Sequence, residues 1–125
     1  MKPSSAAESF KIEREGRGTT TVAKLVGSAC MMASEELKEQ LLELVEPPCR
    51  LLVLDLSKLE FISSEGLGGI IAAHLRCRRH QGSVVLVKPC GDIFDLLAVT
   101  NLDSLFPIYD TVEQAMQHAS NHKPA

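Results

Sequence analysis

The stretch Leu54-Asp55-Leu56-Ser57-Lys58-Leu59-Glu60-Phe61-Ile62-Ser63-Ser64-Glu65-Gly66-Leu67-Gly68 decides how the chain is read. It is entered through Arg50 to Leu56, where Leu51, Leu52, Val53 and Leu54 form an unbroken apolar run. That pattern belongs to a central strand covered on both faces. Asp55 closes the strand, and a polar loop leads to Phe61-Ile62. A helix is predicted to open at Ser64 and run to about His80, with Gly82 ending it. Ser63 or Ser64 is its N-cap, because a serine there accepts a hydrogen bond from an otherwise orphan amide. Leu67, Ile70, Ile71, His74 and Leu75 recur at helical spacing and make its apolar stripe. Gly66 and Gly68 each cost a helix up to ~1 kcal/mol against alanine. In a first turn they either ease packing or admit something close to the backbone.

Outward from this core the pattern alternates. Phe10 to Arg14 reads as a strand, Gly16 and Gly18 as a turn, and Thr20 to Val26 as the returning strand of a hairpin. Ser34 is the expected N-cap of a helix carrying Leu37, Leu41, Leu44 and Val45, with Glu35 and Glu36 in its first turn. Pro47-Pro48 stops that helix. On the other side, Ser83 to Val87 is a buried strand and Gly91 to Val99 an amphipathic helix with Ile93, Phe94, Leu96 and Leu97. Phe106 to Tyr109 is a short strand whose Pro107 places it at an edge or a strand start. Thr111 and Gln114 form a capping box for a last helix through about Ala119. The order β-β-α-β-α-β-α-β-α implies an α/β fold, a mixed sheet with four helices packed on it. One domain is expected over 9–120, between a disordered N-terminus (1–8) and a disordered tail (121–125).

Composition narrows the function. Aromatic residues are 4% of the 125, and the formal net charge is -3. Neither suits single-stranded nucleic acid, which is read with aromatic platforms on a basic surface. The four cysteines, Cys30, Cys49, Cys77 and Cys90, form no CxxC pair. They read as reduced thiols in or near a core rather than as zinc ligands, and no metal site is expected. No apolar run approaches a membrane span and no secretory signal is visible, so a cytoplasmic location is expected. Gly66-Leu67-Gly68-Gly69 lacks dinucleotide-loop spacing, and there is no G-x-S-x-G elbow. A Ser64–His74 hydrolase is disfavoured, since ten residues of helix separate the two by some 15 Å. Met31-Met32 is read as packing.

The stretch from Leu51 to Gly82 resembles the STAS domain of bacterial anti-sigma factor antagonists. The pattern is carried by Asp55-Leu56-Ser57, then Phe61-Ile62, then Ser63-Ser64-Glu65-Gly66-Leu67-Gly68 opening a helix. Gly82 to Val87 with Pro89, Leu96-Leu97, Thr100-Asn101-Leu102, Phe106 to Asp110 and Glu113-Gln114-Ala115 extend the likeness over about residues 10–119. The resemblance implies a non-enzymatic protein-binding switch without a cofactor. It would sequester an anti-sigma factor kinase, so that a sigma factor is released. Phosphorylation is implied at Ser64, with Ser63 the alternative acceptor, and an opposing phosphatase would reset it. Ser63 and Glu65 stand where the family usually has Asp and Ser. Monomer or weak homodimer is expected, with no direct nucleic-acid or membrane contact. The alternative is a STAS sensor or scaffold module that binds a small ligand or nucleotide.

The expected docking residues are Asp55, Ser63, Ser64, Glu65, Gly66, Gly68, Gly69, Ala72 and Arg76. Opposite its apolar stripe the helix would present Glu65, Gly69, Ala72, Ala73, Arg76 and Arg79, small residues that let a partner approach. Arg76, Arg78, Arg79 and His80 complement the helix dipole, or steer a partner. Asp55 either orients the Ser63–Ser64 loop or accepts loop amides. His74 is read as a packed or hydrogen-bonded histidine.

Overall fold

The computed structural model describes residues 10–118, apart from the side chain of Arg17. The predicted ends, 1–8 and 121–125, lie outside that range. Strands β1 (Phe10–Arg17) and β2 (Thr20–Ala29) form the antiparallel hairpin. Gly18 sits in its turn at φ 64°, a left-handed conformation that glycine tolerates without Cβ strain. Strands β3 (Leu51–Ile62), β4 (Ser83–Val87) and β5 (Ile108–Tyr109) add in parallel, giving the order β1-β2-β3-β4-β5. The helices between and after them are α1 (Met31–Leu44), α2 (Ser64–Arg79), α3 (Gly91–Val99) and α4 (Val112–Met116). A short 3-10 turn covers Leu102–Ser104. The predicted element order and mixed sheet are those observed.

Side chains alternate across the sheet and divide the interior. Leu52, Leu54 and Leu56 of β3 join Leu37 and Leu41 of α1, Leu67 and Ile70 of α2, and Ile93 and Leu97 of α3. Leu51 and Val53 face the other way, with Val85, Val87 and Ala115 of α4. Three helices therefore cover one face, and the short α4 covers the other. Thr111 caps α4 by accepting the Gln114 amide at 3.1 Å, while the Gln114 side chain accepts the Asp110 amide.

Four expectations need correction. First, β3 does not stop at Asp55, and no loop precedes Phe61. The strand runs on to Ile62 because β2 continues to pair with it through two register shifts. Each shift places an extra residue on β3, so Leu56, Leu59 and Ile62 bury at three-residue spacing. Second, α1 starts at Met31, not behind Ser34. Ser34 is buried in the first turn and donates to the Met31 carbonyl at 2.8 Å. Third, the buried side of α2 is Gly66, Leu67, Gly69, Ile70, Ala73, His74 and Cys77, while Leu75 is 58% exposed. The small residues belong inside because α1 lies against them. Fourth, Gln81, not Gly82, takes the left-handed position that ends α2, at φ 63°. The Gln81 amide donates to Arg78 and the Gly82 amide to Cys77, a Schellman closure.

Candidate functional site

β2 and β3 end side by side, with Ser28 opposite Phe61 and Ala29 opposite Ile62. The helices that follow them therefore start at one end of the sheet. The Ser63 amide donates to the Ala29 carbonyl at 2.9 Å and ties the two helix starts together. Ser63, half-buried and extended at φ -78° and ψ 167°, is the N-cap. Its hydroxyl accepts the Gly66 amide at 3.0 Å, the usual capping bond.

Ser64 is thus the first helical residue and not the cap, and its side chain is exposed. Among the described residues its hydroxyl donates only to the neighbouring Glu65 carboxylate, at 3.4 Å. From here Ser64, Glu65, Gly68 and Leu75 are exposed and Ala72 half-buried. At helical spacing these make one outward ridge.

Other expected docking residues turn inward. A Cβ at Gly66 would lie 2.7 Å from Ile62 Cγ1, and one at Gly69 would lie 3.2 Å from Lys38 Cα. Close approach to these glycines is real, but Ile62 and α1 of the same chain make it, so Gly66, Gly69 and the buried Ala73 are not offered to a partner. Asp55 is buried at 8% exposure and accepts the Ser57 amide at 3.0 Å, freed where β3 bulges. It follows Leu51 and Val53 on the α4 side of the sheet and lines a hollow with Lys24 and Val112. It accepts a backbone amide rather than orienting Ser64. Arg76 pairs with Glu46 at 2.9 Å, joining the far ends of α1 and α2.

Met31 and Met32 do not pack into the core as the sequence leads one to expect. They are 65% and 76% exposed on the first turn of α1, and Phe61 is 51% exposed on the last residues of β3. All three lie at the sheet end that carries Ser64. Exposed large apolar groups gathered at one end make that end the candidate interaction surface. The position of Met31-Met32 directly after a strand, at a helix start, was the signal in the sequence.

The opposite end of α2 is chemically distinct. His74 is 5% exposed and packs edge-on against Phe106, with ring centroids 5.1 Å apart. Burial pushes its pKa below the ordinary value near 6.5, and the nearby Arg78 charge adds to the shift. The unfolded chain then binds the proton more readily than the folded one. Stability held by neutral His74 is full above about pH 6.5 and is lost as pH falls below it toward the folded pKa. Urea unfolding is expected to show lower stability at about pH 5.5 than at about pH 7.5, and His74→Gln is expected to shrink that difference. An unchanged difference in the variant would assign the effect to other groups.

Cys49 and Cys77 are buried, and burial pushes the Cys77 thiol up to about 11. Among the described residues no cluster of three or more His, Cys, Asp or Glu side chains could hold a metal ion. Among the same residues no helix is long and apolar enough to cross a membrane.

Known proteins resemble this chain in sequence and fold. The family model described as the STAS domain matches residues 11–115. BtrV of Bordetella bronchiseptica, named as a candidate anti-sigma factor antagonist, is 30% identical over 94 residues, 75% of this chain and 81% of that protein. The anti-sigma F factor antagonist of Paenibacillus polymyxa is 26% identical, over 86% of this chain and 92% of its own. The crystal structure of an anti-sigma factor antagonist from Mycobacterium paratuberculosis superposes with a TM-score of 0.80 at 25% identity, covering 90% of this chain and 95% of that one.

Proposed function

The chain belongs to the STAS domain family, and on that premise we propose that it is an anti-sigma factor antagonist switched by phosphorylation of Ser64. The unmodified protein, acting in the cytoplasm, holds an anti-sigma factor with serine kinase activity and so frees a sigma factor. It performs no chemistry itself. The kinase transfers phosphate to Ser64, the complex separates, and a phosphatase restores the binding form.

The observation that carries this reading is the division of labour between the two serines. Ser63 is committed to capping α2, whereas Ser64 is exposed beside it without a structural task beyond its contact with Glu65. A kinase can reach Ser64 without undoing the helix, which makes Ser63 the lesser acceptor. A phosphate there adds about 1.5 to 2 negative charges next to the Glu65 carboxylate. The helix start and its dipole tolerate an anion, so the fold is little disturbed. A docked protein would instead have to desolvate that charge, and each ~1.4 kcal/mol is tenfold in affinity. The docking surface on this reading is Ser64, Glu65, Gly68 and Ala72 with the exposed Phe61, Met31 and Met32.

The test is a pull-down with wild-type, Ser64→Ala and Ser64→Asp protein, the captured kinase being identified by mass spectrometry. Ser64→Ala is expected to bind like wild type, and Ser64→Asp at least about tenfold more weakly. Equal binding by the Asp variant would end the proposal. Gly68 gives an independent check, because a Cβ there meets nothing within 4 Å. Gly68→Ala is expected to stabilise the isolated protein by about 0.5–1 kcal/mol. On this reading it weakens the complex, since the added methyl sits on the docking ridge. A stabilised variant with unchanged affinity would move the interface elsewhere.

A further inference from the structure

Met31 and Met32 are the first two residues of α1, and both are exposed. They follow closely on Ala29, whose carbonyl accepts the Ser63 amide and so joins the two helix starts. The two thioethers are thereby carried beside Ser64, with Phe61 exposed near the end of β3. Met116, by contrast, is half-buried against the core on the α4 side. A thioether is apolar and adaptable, which suits a contact surface. It also has a chemistry that leucine lacks, because its sulfur can be oxidised wherever an oxidant reaches it.

We propose that Met31 and Met32 form an oxidative modification site, at which hydrogen peroxide makes sulfoxides and so closes the docking end by a route separate from Ser64. The proposal rests on the docking surface argued above and adds a second input to it. In each step a sulfur lone pair attacks one peroxide oxygen. The O–O bond breaks, an S–O bond forms, and the proton on the transferred oxygen passes to the departing hydroxide, which leaves as water. Sulfur loses an electron pair to the peroxide, and no other reactant is needed. A thiol-driven sulfoxide reductase reverses the change, taking the oxygen off as water while two thiols become a disulfide. The sulfoxide oxygen is a strong acceptor on what was an apolar tip. In the free protein it stays hydrated, because both side chains are exposed, so the fold is undisturbed. Under a docked protein it would lose that water and face a surface shaped for a thioether, with no donor to replace it. Binding therefore falls while the isolated chain remains folded.

The test treats the full chain with hydrogen peroxide, then with dithiothreitol to reverse disulfides and sulfenic acids at the cysteines, and maps the products by peptide mass spectrometry. Met31 and Met32 are expected to gain one oxygen each several-fold faster than Met116, and an excess of the kinase captured by wild-type protein is expected to slow both. Oxidised protein is expected to unfold at the same urea concentration as before and to bind that kinase about tenfold more weakly. The two methionine sulfoxide reductases, one for each epimer, are expected to restore binding. The double variant Met31→Leu, Met32→Leu keeps size and apolarity, so it is expected to bind like wild type and to go on binding after peroxide. The proposal is overturned if Met31 and Met32 oxidise no faster than Met116, if oxidised protein binds as before, if the reductases restore nothing, or if the leucine variant loses binding to peroxide equally. The Ser64→Asp arm of the pull-down separates the two readings. Weak binding by that variant with full binding by oxidised protein sinks the oxidation site alone, and the reverse result sinks the phosphorylation switch alone.

Discussion

Phe106→Ala is expected to lower the free energy of unfolding by about 3–5 kcal/mol, the range for removing a buried aromatic ring. Phe106 is 1% exposed and is among the largest side chains sealed in the core. It enters from the segment before β5 and meets His74 edge-on, with ring planes 70° apart. The chain on either side is fixed, since the Pro107 carbonyl accepts the Leu86 amide at 2.9 Å and the Phe106 amide donates to Leu102 at 3.1 Å. The backbone has little freedom to collapse into the space left behind. Domains of this size hold only about 5–15 kcal/mol in total, so the variant should unfold at much lower urea. A loss under about 1 kcal/mol would mean that the ring is not keyed into the core as described.

Gly82→Val is expected to cost about 3 kcal/mol, at the upper end for overpacking. The need here is space and not backbone freedom, because the left-handed residue is Gln81. A Cβ at Gly82 would stand 2.6 Å from Cys77 Sγ and 2.8 Å from the Arg50 carbonyl oxygen. That carbonyl already accepts the Ser83 amide at 2.9 Å and holds the start of β4 to β3, so it cannot retreat. The buried thiol would have to move instead. Urea denaturation reads the loss, and faster alkylation of Cys77 would report where the strain is released. Wild-type stability in the variant would refute the close approach.

The element order was legible because most segments keep one period. The Leu51–Leu54 run, the helical spacing after Leu67 and the Thr111–Gln114 box each point to one structure, and the structure has it. The second half of β3 was not legible. Its two bulges turn the two-residue strand period into the spacing Leu56, Leu59, Ile62, which matches neither a regular strand nor a helix. Pairing with β2, a contact distant in sequence, holds it extended. The stripe on α2 was misplaced for a related reason. A face that packs closely on another helix is built from Gly66, Gly69 and Ala73, which hydrophobic periodicity does not register. Ser63 and Ser64 could be named as a pair, but dividing cap from exposed hydroxyl needed the geometry of the helix start. Exposure of Met31 and Met32 depended on α1 beginning three residues before Ser34.

The sheet has two rims, and they are unlike. At one, β5 offers only Ile108 and Tyr109 to a newcomer. At the other, β1 is eight residues long, with Lys11, Glu13, Arg14 and Glu15 all exposed along it. A strand from another molecule aligning there would have to strip water from that mixed row of ions, a recognised safeguard against edge-to-edge polymerisation. Growth of the sheet from chain to chain is thus discouraged at both rims. The docking surface proposed for Ser64 lies away from both rims, at the end where the helices begin, so a partner can bind there without extending the sheet.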